Sequence, residues 1–198
     1  VEQCGSPHEF GSTGFGVAES TRIAAEMKGM DISKSTVSIH GFGNVGTFTY
    51  QFLDDMGARV IAIADAKGAM VAKDGFDRKE MDKLIKQRKS ITQYSKGTKI
   101  TPEEFWKVAV DILIPASVTD VIHNGNMNDI QAEIIVEGAN IPMREDIEKK
   151  LHEKGILILP DFIANAGGVI SSYAEYRGYN PKQMFKTVKK KITDATTT

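Results

Sequence analysis

The run Gly41-Phe42-Gly43-Asn44-Val45-Gly46 joins two different hydrophobic patterns, and this junction restricts the possible folds most. Ahead of it, Thr36-Val37-Ser38-Ile39 reads as a short strand. Behind it, Val45, Phe48, Phe52, Leu53 and Met56 recur at helical spacing until Gly57 stops them. Arg59-Val60-Ile61-Ala62-Ile63-Ala64 follows, apolar enough to be buried on both faces of a sheet. A strand, a tight glycine turn, a crossover helix and a second buried strand make a βαβ unit, which requires a parallel pair.

The rest of the chain keeps the alternation. Met70-Val71-Ala72 with the turn Lys73-Asp74-Gly75 reads as a small hairpin or extension. Met81, Leu84 and Ile85 mark a helix with a charged outer face, and Thr101-Pro102-Glu103-Glu104 is a capping-box helix start. Strands are expected at Asp111-Ile112-Leu113-Ile114, Ile134-Ile135-Val136 and Ile156-Leu157-Ile158-Leu159, with a helix carrying Ile147 and Leu151 before the last. Residues 13–30 read helical, with Val17, Ala24, Ala25 and Met27 on one side, and helices near 169–176 and 181–192 close the chain. Lys189-Lys190-Lys191 reads as a solvated helix face. The expected fold is therefore α/β, Rossmann-like and doubly wound, a mostly parallel sheet with helices on both faces.

The glycine run gains meaning from its setting. Asp65 ends the second strand, 19 residues beyond Gly46. A G-x-G-x-x-G between strand and helix, with an acid at that distance, is the dinucleotide-binding pattern. Gly41 permits the tight turn, Gly43 lets a pyrophosphate approach the backbone, and Gly46 allows close helix packing. The helix N-terminus offers free N–H groups to phosphate. Asp65 can accept hydrogen bonds from both hydroxyls of an adenine ribose and would repel a 2′-phosphate, which favours NAD. Lys67 could pair with that phosphate, which favours NADP. The balance leans to NAD. An S-adenosylmethionine fold also carries an acid after its second strand, but the third glycine favours a dinucleotide.

Composition removes other classes. With 25 Lys and Arg against 26 Asp and Glu, the net charge of −1 supplies no field for nucleic acid or an anionic membrane. One cysteine, Cys4, excludes an intrachain disulfide framework and a multi-cysteine zinc site. No apolar run is long enough to span a membrane and no signal peptide is recognisable, so a cytoplasmic location is expected. The four histidines, His8, His40, His123 and His152, form no cluster with carboxylates in sequence and read as structural. The chain opens on Val1 and closes on Ala195-Thr196-Thr197-Thr198, which reads as a cut at both ends. The expectation is one dinucleotide-binding domain over residues 1–198, taken from a longer protein.

Five separated blocks resemble the glutamate, leucine, phenylalanine and valine dehydrogenases. They are Ser12-Thr13-Gly14-Phe15-Gly16-Val17, His40-Gly41-Phe42-Gly43-Asn44-Val45-Gly46, Asp111-Ile112-Leu113-Ile114-Pro115-Ala116, Val136-Glu137-Gly138-Ala139-Asn140-Ile141-Pro142 and Pro160-Asp161-Phe162-Ile163-Ala164-Asn165-Ala166-Gly167-Gly168-Val169, the last running on to Ser172-Tyr173. The resemblance implies a modified Rossmann domain hinged to a separate substrate domain. It puts Thr13 and Asn44 near a nicotinamide, Ala116 and Asn140 in its ribose pocket, and Asn165 against both substrate and cofactor. Val169 and Ser172 would line the amino-acid side-chain pocket. Residues 165, 169 and 172 also share a face if the segment is helical, and Gly167 and Gly168 would let backbone approach a ligand.

The implied reaction is oxidation of L-glutamate with NAD or NADP to 2-oxoglutarate and ammonia, in a homo-oligomer that the resemblance makes a hexamer. The family's catalytic lysine and aspartate belong to the substrate domain, ahead of Val1, so no catalytic residue is assigned here. Gly5-Ser6-Pro7-His8-Glu9-Phe10-Gly11 also lacks the arginine that follows a glycine in the family. Rival readings are a branched-chain or aromatic amino-acid dehydrogenase and a non-catalytic NAD(P)-sensing module. A short-chain reductase is disfavoured because no tyrosine has lysine four residues later.

Overall fold

A computed structural model describes residues 11–197; the departure at Gly5 to Phe10, with Cys4 and His8, lies outside them. The strands are β1 (Thr36–His40), β2 (Arg59–Asp65), β3 (Gly68–Val71), β4 (Thr98–Ile100), β5 (Ile112–Pro115), β6 (Ile134–Val136) and β7 (Leu157–Leu159). They form one sheet in the order β4-β3-β2-β1-β5-β6-β7. Pairing from β2 through β7 is parallel, while β3 runs antiparallel to β2 and β4 antiparallel to β3.

Alternation along each strand feeds two cores. Val37 and Ile39 of β1, Ile112 and Ile114 of β5, and Ile134 and Val136 of β6 join one core with α1 (Ser12–Met27), α2 (Asn44–Asp55) and α3 (Arg78–Lys86). Leu113 and Ile135 point the other way, to Phe105 and Trp106 at α4 (Pro102–Phe105) and to Ile147 and Leu151 of α5 (Glu145–Glu153). Burial on both faces is why these strands read as unbroken apolar runs. The short α6 (Asp161–Ala164) leads to α7 (Gly167–Tyr176) and α8 (Pro181–Thr196). Ala174, Met184, Val188 and Ile192 of these last helices pack on Ile23 of α1.

Four expectations change. The hairpin turn is Ala66-Lys67, not Lys73-Asp74-Gly75: Asp65 accepts the Lys67 N–H at 2.8 Å, and Gly68 takes φ 144° directly after. Strand β4 was not expected, because its residues are largely exposed at the sheet edge and carry no alternation. Met27 is exposed at the end of α1, whereas Val17, Ala24 and Ala25 are buried as expected. Lys189 does more than solvate α8: its Nζ lies 3.0 Å from Glu19, a buried carboxylate of α1 that also holds Arg22 at 3.1 Å. Among the described residues no helix is long and apolar enough to cross a membrane.

Candidate functional site

The chain leaves β1 for β2 on one side and reaches β5 on the other. The carboxyl ends of β1 and β5 therefore diverge, and a crevice opens where ligands bind in sheets of this kind. Two adjoining cavities occupy it. The first, about 1070 Å³, is lined by residues including Gly41, Gly43, Asn44, Asp65, Lys67 and Arg88. The second, about 920 Å³, has Thr13, Val45, Asn140, Asn165, Val169 and Ser172. Ala116, Ser117 and Val118 form the ridge common to both.

The three glycines of the turn differ in what they make room for. Gly41 has φ 108°, and a Cβ there would come within 2.6 Å of the Ala116 carbonyl oxygen. A Cβ at Gly46 would overlap the Gly41 carbonyl oxygen, so Gly46 is behind the turn rather than in either cavity. Among the described residues, a Cβ at Gly43 would meet nothing within 4 Å. Gly43 is also the N-cap of α2 and supplies no side-chain cap. The first-turn amides of α2 are thus left to an acceptor arriving from the cavity, and the open space over Gly43 fits a pyrophosphate.

Asp65 lies at the end of β2 with both oxygens engaged. One accepts the Lys67 N–H and the other the Ile91 N–H, each at 2.8 Å. The second contact ties β2 to the segment after α3. There Arg88 adopts φ 51° and closes the helix, with its N–H on the Ile85 carbonyl and that of Lys89 on Leu84. This turn brings Arg88, Lys89 and Ser90 to the cavity beside Lys67. Sequence reasoning missed all three, although the basic pair directly after a helix was visible. Each carboxylate oxygen keeps a lone pair for a ribose hydroxyl, but three cations now face that end.

At the foot of the ridge, the His40 ring stacks on Trp106 with centroids 4.6 Å apart, and its Nδ1 is 2.8 Å from the Ser117 hydroxyl. Burial pushes its pKa down to about 4, so it is neutral at physiological pH. It packs the floor and supplies no charge, in keeping with its structural reading.

In the second cavity Asn165 donates from Nδ2 to Asn140 Oδ1 at 2.8 Å. Asn165 caps the end of α6 rather than belonging to α7, yet it lines the same cavity as Val169 and Ser172. Ser172 donates to the Gly168 carbonyl at 3.2 Å, and Val169 is 77% exposed at the open side. Asn44 lines the first cavity while Thr13 lines the second, so the turn of α2 separates two residues expected together. Gly167 also departs from its expectation. A Cβ there would overlap the Ser12 carbonyl, so its close approach is to α1 and not to a ligand; Gly168 is the one at the cavity.

Behind this cavity Glu137 is 1% exposed. One oxygen accepts the Asp161 N–H at 2.9 Å, and the other has no hydrogen-bond partner among the described residues. Burial pushes its pKa up to about 8 against the opposing pull of the Asp161 N–H, and the nearby Glu148 and Asp161 carboxylates add to the rise.

A glycine turn at the switch point of a parallel sheet, with an acid closing the next strand, defines a Rossmann-type dinucleotide-binding class of fold. The sequence comparison is more specific: the model of the Glutamate/Leucine/Phenylalanine/Valine dehydrogenase family matches residues 4–197, and the chain belongs to that family. It is 42% identical over 179 residues to the NADP-specific glutamate dehydrogenase of Saccharolobus shibatae, covering 87% of this chain and 42% of that protein. It is 40% identical over 168 residues to the NAD-specific glutamate dehydrogenase of Staphylococcus aureus, covering 83% of this chain and 40% of that one. The crystal structure of Plasmodium falciparum glutamate dehydrogenase superposes with a TM-score of 0.84 at 20% identity, over 95% of this chain and 44% of its own, which shows the shared fold. The chain thus spans less than half the length of these relatives.

Proposed function

We propose that the chain is the nicotinamide-dinucleotide-binding part of an NAD(P)-dependent glutamate dehydrogenase, with the remaining groups of the reaction supplied by polypeptide outside these 198 residues. The single observation that carries this is the pair of cavities meeting at Ala116, one over the glycine turn and one over the Asn165 and Ser172 face. A nicotinamide held there would supply the hydride acceptor for the oxidation of L-glutamate to 2-oxoglutarate and ammonia. The chain's own residues hold and orient. Amides at the start of α2 would take the pyrophosphate, Asp65 would take the adenine ribose, and Asn140 with Asn165 would offer amide groups to the nicotinamide end.

The test is reduced-nicotinamide absorbance with the full-length protein. Turnover is expected with L-glutamate well above L-leucine or L-phenylalanine. A preference for either apolar amino acid would support a branched-chain or aromatic enzyme, and binding without any turnover would support a sensing module. Ser172 sharpens the choice. Its hydroxyl can exchange the Gly168 carbonyl for a substrate carboxylate, a charged hydrogen bond of roughly 1.5–3 kcal/mol. Ser172→Val is expected to lower kcat/KM for glutamate by about ten- to a hundredfold. Unchanged kinetics would remove Ser172 from the site.

On the 2′ position of the adenine ribose, Asp65 alone favours NAD. The setting of Asp65 supports a different balance: its oxygens are held by backbone amides, and Lys67, Arg88 and Lys89 line the same end. We read this end as accepting a 2′-phosphate, with NADP bound at least as tightly as NAD. Arg88→Ala is expected to weaken NADP by roughly tenfold while changing NAD by less than about threefold. A wild type that binds NAD more than tenfold better would return the choice to Asp65.

A further inference from the structure

Ile141 is a β-branched residue with φ 46°, a left-handed conformation that such side chains rarely adopt. It follows Asn140 directly, at the rim of the second cavity. Strain of this kind persists only where its surroundings impose it, and here three contacts do. The Ile141 N–H donates to Asp161 Oδ2 at 2.8 Å. The Ile141 carbonyl accepts the Asp120 N–H at 3.0 Å, and the Thr119 hydroxyl donates to the Asn140 carbonyl at 3.0 Å. Asp120 is itself at φ 59° and is gripped by Arg144 through two bonds of 2.6 Å.

Besides the pairing of the two asparagine side chains, Asp161 joins this loop to the segment that carries Asn165. Its backbone N–H is held by Glu137, and its carbonyl accepts the Asn165 N–H at 2.9 Å. One residue therefore fixes both asparagines, Asn140 through its side chain and Asn165 through its backbone. With Asn165 Nδ2 on Asn140 Oδ1, the remaining edges are determined. Asn165 keeps its Oδ1 acceptor, and Asn140 keeps its Nδ2 donors, for whatever enters the cavity.

We propose that Asp161 is a positioning residue for the reaction at this cavity: by holding the Ile141 amide it keeps a strained loop in the one conformation that pairs Asn140 with Asn165. The inference rests on the glutamate dehydrogenase reading for its catalytic consequence, but not for the contact itself. Loss of the Asp161 carboxylate frees Ile141 to leave the left-handed region, and the Asn140 amide turns with it. The first cavity, where most of a dinucleotide would bind, is not part of this network.

The test uses the full-length protein and three variants. In Asp161→Ala the Ile141 amide is expected to exchange with solvent at least tenfold faster, and kcat to fall by about tenfold or more, with dinucleotide Kd changed less than about threefold. Asp161→Asn retains an acceptor oxygen and is expected to keep at least a third of kcat. Glycine accepts φ 46° without strain, so Ile141→Gly added to Asp161→Ala is expected to recover kcat by about threefold or more. Equal losses in the Asn and Ala variants, or no recovery with glycine, would overturn the proposal. If Asp161→Ala does not fold, the Asn variant and the double variant decide it. A wild type that shows no glutamate turnover would defeat the proposed function instead, while amide exchange would still decide whether Asp161 holds the loop.

Discussion

Gly43→Ala is expected to fold like the parent and to lose dinucleotide affinity by roughly a hundredfold, about 3 kcal/mol. The methyl group would meet no atom of the described residues within 4 Å, and the backbone there has φ −83°, which alanine adopts freely. Alanine is a poorer N-cap than glycine, a stability cost of roughly 1 kcal/mol, while the effect on binding comes from the space above the first turn of α2, where a phosphate must come close to backbone amides. Gly46→Ala makes the opposite prediction. Its methyl group would overlap the Gly41 carbonyl and press within 3.4 Å of Ile39 Cγ2, so the helix must move off the strand. Overpacking of this kind costs roughly 1–3 kcal/mol or more, which lowers Tm by about 5–10 °C in a protein of this size. Calorimetric titration beside thermal unfolding separates the two. Retained affinity in Gly43→Ala would remove the glycine turn from the binding site.

Glu137→Gln is expected to be much more favourable at high pH than at low pH. The folded pKa of Glu137 is raised to about 8 from an ordinary 4.5, chiefly by burial. A carboxyl raised in this way stabilises the fold fully below its unfolded pKa, and the contribution is lost as pH rises through the folded one. The window therefore runs from about pH 4.5 to 8. A shift of this size corresponds to on the order of 4 kcal/mol across the window. Glutamine keeps the acceptor for the Asp161 N–H and does not titrate. The difference in Tm between variant and parent should therefore move in the variant's favour by about 10 °C between pH 5 and pH 9. A constant difference would mean that Glu137 is solvated in the folded protein.

The sheet was legible because its parallel strands are buried on both faces. Val37, Ile63, Ile114 and Val136 could not be loop residues in runs so apolar. The antiparallel edge was not, because Thr98, Lys99 and Ile100 pair on one side only and carry no pattern a core would impose. The glycine turn was legible for a steric reason: Gly41 and Gly46 have no room for a side chain, whatever the ligand. Arg88 and Lys89 escaped because surface cations after a helix look alike until a contact such as Asp65 with the Ile91 amide brings one turn into the crevice. Gly167 misled because a required glycine reveals crowding but not what crowds it. Asp161 lay inside a recognised block without a role, since the strain at Ile141 that gives it one is a backbone property.

Calorimetric titration of the purified, folded chain with NADP and with NAD tests most directly whether the crevice over residues 41–46 is a nicotinamide dinucleotide site. Saturable one-to-one binding of at least one of the two is expected, lost in Gly43→Ala and, for NADP, weakened in Arg88→Ala. No binding of either at millimolar concentration would contradict it.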